Sequence, residues 1–319
     1  MTAVLPGVLE YWLRIERRAM ACPFEITLDQ RDTQWVAVAQ AALRELDPIE
    51  AKLTVFRDTS AIVDLNRHAA SGPVGCDAEL FALLSRCAEL SRDTGGAFDI
   101  TSTPLSRAWG FLQRDGRVPS EAEVTEARER VGMQHVRLDA AGSSVLFARH
   151  GVELNLGAVG KGYALDRIAT TLRSHGVDRA LLSAGRSSLL GIGDHGRGWP
   201  IDIVSPRRSR PLARVWLRDA ALGTSGAGTQ FAVIDGKRYG HVVDPRSGRP
   251  SEGILSASVI CASAADADAL STGFLVGGPA VAHSYCERHP GVLALLTPDD
   301  DSDTTLVIGE CRRADVEDV

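Results

Sequence analysis

Asn155-Leu-Gly-Ala-Val-Gly-Lys-Gly-Tyr-Ala-Leu-Asp-Arg167 is the stretch around which the rest of the chain arranges itself. An apolar run, Val152 to Leu156, leads into it, and three glycines (Gly157, Gly160, Gly162) turn it before a helical pattern leaves. Glycine lets backbone N–H groups approach an anion closely, and a helix start adds positive dipole character. Lys161 adds a fixed cation. Strand, glycine-rich turn with lysine, then helix is a common way to hold a phosphate ester. The same letters also fit a tight strand-to-helix turn with a solvated lysine. A nucleotide-binding P-loop is disfavoured and stands as a remote alternative, because it needs a glycine five residues before the Gly-Lys pair and a Ser or Thr after it. Asn155 and Gly162 stand there instead, so any metal-binding hydroxyl must come from elsewhere.

The chain of 319 residues is 44% hydrophobic and 24% charged, an ordinary balance for a globular protein with a large core. The net charge of −6 argues against nucleic-acid binding, since no basic face stands out. The short cluster Arg207-Arg208-Ser209-Arg210 reads as a solvated loop. Six scattered cysteines (Cys22, Cys76, Cys87, Cys261, Cys286, Cys311) have no zinc spacing and read as thiols of a reducing compartment. The first residues lack the apolar stretch of an export signal, and no apolar run reaches the roughly 18 residues needed to span a bilayer. A cytoplasmic protein without a membrane span is expected.

Upstream of the central stretch, Leu13–Ile15 and Phe24–Leu28 read as strands and Thr33–Leu46 as an alanine-rich helix. Ser60 caps a short helix carrying Leu65 and Asn66, and Asp77–Asp93 is an amphipathic helix closed by Gly95-Gly96. Gly96-Ala-Phe-Asp-Ile-Thr101 follows. Small residues around one aromatic and one carboxylate suit a wall against a flat ring, or a loop in which Asp99 caps a turn. Ser120 and Glu123 form a capping box for a helix through Val131.

Downstream the chain becomes strand-rich: Val145–Phe147, Leu181–Ser183, Leu189–Gly191, Ile201–Val204, Ala213–Trp216 and Phe231–Ile234. Gly191-Ile-Gly-Asp-His-Gly196 runs into Trp199-Pro200 and another strand, so it is no dinucleotide fingerprint. Thr224-Ser-Gly226 reads as a glycine-rich turn. In His241-Val-Val-Asp-Pro-Arg-Ser-Gly248 a strand presents His241 and Asp244-Pro245 starts a turn. Ala257–Cys261 is a strand and Ala264 begins a helix on which Asp268 and Thr272, four apart, share a face. That carboxylate and hydroxyl are hard-oxygen donors of the kind magnesium accepts. Equally, Asp266 and Asp268 complement the helix dipole. Leu293–Leu296 and Thr305–Ile308 read as closing strands around a 299–303 loop, and Glu310–Val319 as a frayed polar tail.

Together, Met20-Ala-Cys-Pro-Phe24, Phe56 to Asn66, Gly96 to Thr101, Leu156 to Gly162, Thr224 to Gly226, His241 to Gly248 and Ala267-Asp-Ala-Leu-Ser-Thr272 resemble the ApbE family of FAD:protein FMN transferases. The resemblance spans Met20 to Leu296. It implies an α+β, T-fold-like architecture of mixed or antiparallel sheets with helices, two lobes around a central flavin site. The expected divisions are an extension over 1–12, one FAD-binding domain over 13–309 and the tail over 310–319. It also implies a reaction in which FAD, with magnesium, gives FMN to a Thr or Ser hydroxyl of an acceptor flavoprotein, and AMP leaves. By the same resemblance, Met20, Phe56, Ala97, Phe98, Asp99, Asn155, Lys161 and Val242 contact FAD. The Ala158 carbonyl, Asp268 and Thr272 ligate the metal. On chemical grounds His241 and Asp268 are the catalytic candidates, His241 as acid/base, a task that Asp268 or a metal-bound water could also perform.

The chain departs from the family pattern at four places. Asn155 stands where Asp is usual, and Ser183-Ala-Gly-Arg186 where a Leu-Gly-Gly-Asn/Asp block is usual. Ala265 replaces an acidic residue, with Asp266 adjacent as a substitute, and Met20-Ala-Cys22 replaces Met-Gly-Thr. Two other outcomes follow from the same site: magnesium-dependent hydrolysis of FAD to FMN and AMP, or FAD binding without catalysis.

Overall fold

Alternate residues along the central strands belong to two different cores, and this organises the whole molecule. Leu182, Leu190 and Ala294 lie in one apolar cluster, while their neighbours Leu181, Leu189, Leu293 and Leu295 lie in another. Side chains leave a strand on opposite faces, so the sheet these strands form is covered on both sides. The computed structural model describes residues 12–318 apart from 114, 195, 206, 208–210, 227–230, 235 and 301–303. Residues 1–11 of the expected extension, most of the 207–210 cluster and the last three residues of the 299–303 loop thus lie outside the described residues.

In chain order, β1 (Trp12–Ala19) and β2 (Cys22–Asp29) form a hairpin, followed by α1 (Val36–Arg44), α2 (Leu46–Leu53) and α3 (Ala61–His68). The single helix expected over 33–46 is therefore shorter, and a second helix follows it directly. Next come β3 (Val74–Gly75), α4 (Ala78–Asp93), α5 (Thr103–Ala108), α6 (Glu121–Arg128), β4 (Val136–Asp139) and β5 (Ser144–Phe147). The caps expected at Ser60 and Ser120 form: Ser60 accepts from Val63 N, and Ser120 with Glu123 makes the capping box, while Asp77, expected as a helical residue, is the N-cap of α4 and accepts from Leu80 N.

The quoted glycine-rich stretch opens α7 (Gly160–Ser174). Residues 152–156, expected as a strand, are extended but unpaired in any sheet. Their backbone is held instead by Asn66, whose side chain brackets Leu154 N and O, and by Ile100 O, which accepts from Asn155 N. The strand-rich half follows as β6 (Ala180–Ala184), β7 (Ser188–Ile192), β8 (Trp199–Val204), β9 (Pro211–Leu217), β10 (Ala221–Gly226), β11 (Phe231–Ile234), β12 (Lys237–Gly240) and β13 (Ile254–Cys261). Then come α8 (Ala264–Arg288), broken at Gly278–Pro279, and β14 (Leu293–Pro298), β15 (Leu306–Gly309) and β16 (Ala314–Asp318).

The main sheet has eight strands in the order β1-β2-β6-β7-β10-β13-β14-β15, antiparallel throughout. Helices cover one face, and the three-stranded sheet β16-β9-β8 covers the other with Trp199, Ile201, Val215 and Leu217. The architecture is α+β, as the resemblance implied.

Two expectations fail here. Thr224-Ser-Gly226, read as a turn because of its small residues, is the end of β10 near the middle of the main sheet. The polar tail is not frayed: Ala314–Asp318 pair with β9, and Glu317 accepts from the Trp216 indole. Among the described residues no helix is long and apolar enough to cross a membrane. The cysteines are all free thiols.

Candidate active site

Two glycines let the backbone of α8 lie directly on its neighbours. A Cβ added to Gly223 of β10 would sit 2.4 Å from the Ala267 carbonyl, and one on Gly162 of α7 would sit 2.0 Å from the Ala264 oxygen. Only hydrogen fits at these crossings, so α8 is drawn against both elements and its first turns are fixed. Asp166 of α7 completes the arrangement. Its carboxylate accepts from Ala264 N, Ala265 N and the Ser263 hydroxyl, satisfying donors that a helix start leaves open. Sequence reading overlooked Asp166, which looks like any polar helix residue until α8 is packed beside it.

Asp268 emerges from this crossing fully buried between α7 and β7. Oδ2 accepts from Gly162 N at 2.7 Å and Oδ1 from the Ser188 hydroxyl at 2.6 Å. Burial pushes its carboxyl above the usual aspartate range, while the nearby Lys161 charge and these two donors pull the other way. Lys161 Nζ donates to the Ser187 hydroxyl. Thr272, one turn along α8, donates to the Asp268 carbonyl at 3.3 Å, and its Oγ1 lies 3.0 Å from Ser225 Oγ. Ser225 also reaches Ser271 at 2.9 Å. A lysine, a buried carboxylate and a set of hydroxyls therefore meet where β7, β10, α7 and α8 converge. Ser187, Ser188 and Ser225 were not foreseen as site residues, for nothing in a serine's local sequence marks it.

Two hairpin turns border this centre. Met20 and Ala21 form the two-residue turn between β1 and β2, with φ of 48° and 61°. Such a turn normally takes Asn-Gly, so two residues with Cβ atoms carry backbone strain there. The second turn, Gly185 to Ser187, joins β6 to β7, and Gly185 N donates to Pro23 O beside the first. Cys22 lies between them. Burial raises its thiol pKa, with the nearby Lys161 charge pulling the other way.

The other expected residues are spread more widely. Asn155 Oδ1 accepts from Gly157 N at 2.9 Å, closing a small turn that presents Ala158 just before α7. Phe56 stands on the loop after α2 with 78% of its surface exposed. Ala97 and Phe98 are buried, and the Phe98 side chain packs against α8 at Gly273, so no aromatic wall is offered by that ring. Asp99 is turned inward as well: Oδ1 accepts from Thr101 N and Oγ1, and Oδ2 from Met133 N and Ser91. Burial raises its pKa against those four donors. A cleft of about 780 Å³ borders Asp99, Gly96, Arg128, Met133 and Arg246, and none of Met20, Lys161, Asp268 or Thr272 lines it. His241, expected on a strand, sits just past β12, followed by Val242, whose carbonyl accepts from Ser251 N. Asp266 cannot stand in for the missing acid at Ala265, because Arg86 holds both its oxygens at 3.0 and 2.9 Å.

Among the described residues no three of His, Cys, Asp and Glu gather as a metal cage. The donor set is instead one carboxylate, Asp268, with the hydroxyls of Ser188, Thr272 and Ser225 around it. That fits magnesium, which characteristically takes one or two carboxylates and completes its shell with water and substrate phosphate.

The sequence model described as the ApbE family matches residues 20–296. The FAD:protein FMN transferase of Treponema pallidum is 34% identical over 280 residues, 81% of this chain and 77% of that protein. Its counterpart from Salmonella typhimurium is 29% identical over 283 residues, 86% of this chain and 81% of that one. Among solved structures, the ApbE protein of Thermotoga maritima is similar with a TM-score of 0.84 and 28% identity, covering 94% of this chain and 97% of that chain. The flavin transferase ApbE from Vibrio cholerae has a TM-score of 0.80 and 25% identity, covering 93% and 96%.

Proposed function

Because the chain belongs to the ApbE family, we propose that it is an FAD:protein FMN transferase, moving FMN from FAD to a Thr or Ser hydroxyl of an acceptor flavoprotein. The acceptor oxygen bonds to the FMN phosphorus, the bond to the AMP phosphate breaks, and the hydroxyl proton passes to a base. The observation that carries this reading is the meeting of Lys161, Asp268 and Thr272 at one end of the main sheet.

Each group has a task that follows from its surroundings. Lys161, oriented by Ser187, offers a fixed positive charge to the diphosphate as charge moves toward the leaving AMP. Asp268 is locked by Gly162 and Ser188 in one orientation, and with Thr272 and the Ala158 carbonyl it would hold magnesium. When bound, the metal supplies Lewis-acid neutralisation of phosphate oxygens. His241 takes the acceptor proton, its position on a loop rather than a strand allowing it to follow an incoming protein. Phe56, already exposed, covers the bound flavin, and the 97–99 main chain and Val242 flank it. The free thiols suit a reducing, cytoplasmic setting.

The test is incubation of the protein with FAD, magnesium and candidate flavoproteins, reading covalent flavin by mass and AMP by chromatography. One AMP per flavinylated Thr or Ser is expected. AMP and FMN without any acceptor would make the protein a hydrolase, and FAD bound but unchanged with every acceptor would make it a carrier.

A further inference from the structure

The turn between β6 and β7 holds a cation to which the chemistry above gives no role. Arg186 sits at its apex, exposed, and has no hydrogen-bond or ion-pair partner among the described residues. Its φ is 60°, directly after Gly185 at 58°. A left-handed backbone is unfavourable for any residue with a Cβ, and persists where neighbouring contacts dictate it.

Those contacts are specific. Ser187, the next residue, accepts from Lys161, and its carbonyl accepts from Thr224 N at 2.7 Å. Ser188 donates to Asp268 at 2.6 Å. On the other side Gly185 N donates to Pro23 O at 2.9 Å, and a Cβ on Gly185 would lie 3.1 Å from that of Cys22. The turn is thus tied to the Lys161–Asp268 centre by its two following residues and to the Met20-Ala21 hairpin by the preceding one. Asp268 is buried and already held by two donors, so it does not compete for the guanidinium.

We propose that Arg186 is a second phosphate-binding cation of this site, engaging the FAD diphosphate alongside Lys161. A diphosphate carries at least two negative charges, and with the Asp268 carboxylate counted, Lys161 and a bound magnesium would only balance them, so a further cation strengthens binding. The guanidinium fork pairs two phosphate oxygens at once, which an ammonium does not. This inference rests on the FAD reading above.

Calorimetry separates the possibilities, with ADP as the diphosphate without flavin and riboflavin as the flavin without phosphate. Arg186→Ala raises the dissociation constants of ADP and FAD about tenfold, the loss expected of a charge-assisted contact, and leaves riboflavin unchanged. Arg186→Lys recovers part of the loss. Arg186→Gly raises Tm by roughly 2 °C through relief of the left-handed backbone while weakening ADP as much as alanine does. Unchanged ADP binding in Arg186→Ala overturns the assignment and leaves the FAD reading standing. Equal losses for riboflavin and ADP overturn it too, because they mark a disturbed fold. A wild-type protein that binds neither FAD nor ADP overturns both.

Discussion

The backbone N–H of Gly162, in the first turn of α7, donates to Asp268 Oδ2 at 2.7 Å across the crossing with α8. A helix start that faces an anionic ligand usually spends its N–H groups on that ligand. Here one of them is spent on the protein's own carboxylate. The glycine-rich stretch therefore positions an acid as well as a lysine, and the two halves of the chain are joined at the point where chemistry is expected.

Removing that acid tests the joint. Asp268→Ala leaves the Gly162 N–H and the Ser188 hydroxyl without their acceptor, each omission costing about 1–3 kcal/mol, partly offset by losing a buried charge. Magnesium-dependent AMP release should fall by about 10³ or more. Quantifying AMP release beside urea unfolding distinguishes a lost site from a lost fold.

Gly223 tests the packing that carries Asp268. An alanine there would press its Cβ to 2.4 Å from the Ala267 carbonyl, and backbone on both sides leaves little to yield. Gly223→Ala should destabilise the protein by about 3 kcal/mol or more and weaken metal binding with it. Gly160→Ala is the control: nothing lies within 4 Å of its added Cβ, so the denaturation midpoint should hold or rise.

Phe56 separates binding from stability. With 78% of its surface exposed, its ring contributes little to folding, and Phe56→Ala should change stability by less than about 0.5 kcal/mol. Loss of an aromatic cover over the flavin should weaken FAD roughly 3- to 10-fold. Tryptophan or flavin fluorescence titration reads the second effect, and calorimetric melting the first.

Glu123 gives a pH signature. Arg117 beside it, then the Ser120 N–H and hydroxyl, hold its carboxyl at about 2 against an ordinary 4.5. A carboxyl depressed on folding stabilises above its unfolded value, and that support fades as pH falls from 4.5 toward 2. Protection factors at the start of α6, which divide out the slowing of intrinsic exchange as pH falls, should drop over this window in the wild type. Glu123→Gln should exchange faster at pH 5 and show a flatter acid response.

Local signals carried much of this fold. Side-chain caps at Ser60 and Ser120 lie within three residues of the amides they bind, so they were visible in the letters, and Asp77, read as a helical residue, caps α4 in the same way. Asp268 and Thr272 were legible as one helical face, and Lys161 as the cation of a glycine-rich turn. What escaped depended on distant partners. Thr224 to Gly226 is a strand because β13 pairs along its whole length and Thr224 N donates to Ser187 O, and it is Gly223 just before it that makes room for α8. Ser187, Ser188 and Asp166 acquire roles only once β7, α7 and α8 meet. Phe98 and Asp99 fit a ligand wall by composition, yet the core claims the ring and four donors claim the carboxylate. Asp266, the nearest replacement for an acid at Ala265, is taken by Arg86 from α4.

The strand Ala314–Asp318 also sets an order of events at the ribosome. Its partner β9 ends at Leu217, so the β8–β9 hairpin is synthesised long before the segment that completes its sheet. Until residues 314–318 emerge, that layer has only two strands, and the β9 edge is open beside the apolar face of Leu181, Leu189 and Leu295. An unfinished edge over an apolar surface is a site for misassociation between nascent chains. The second layer therefore closes only after residues 314–318 have left the ribosome, and a chain stalled before them would hold its glycine-rich turn, lysine and buried acid complete but its opposite face still open.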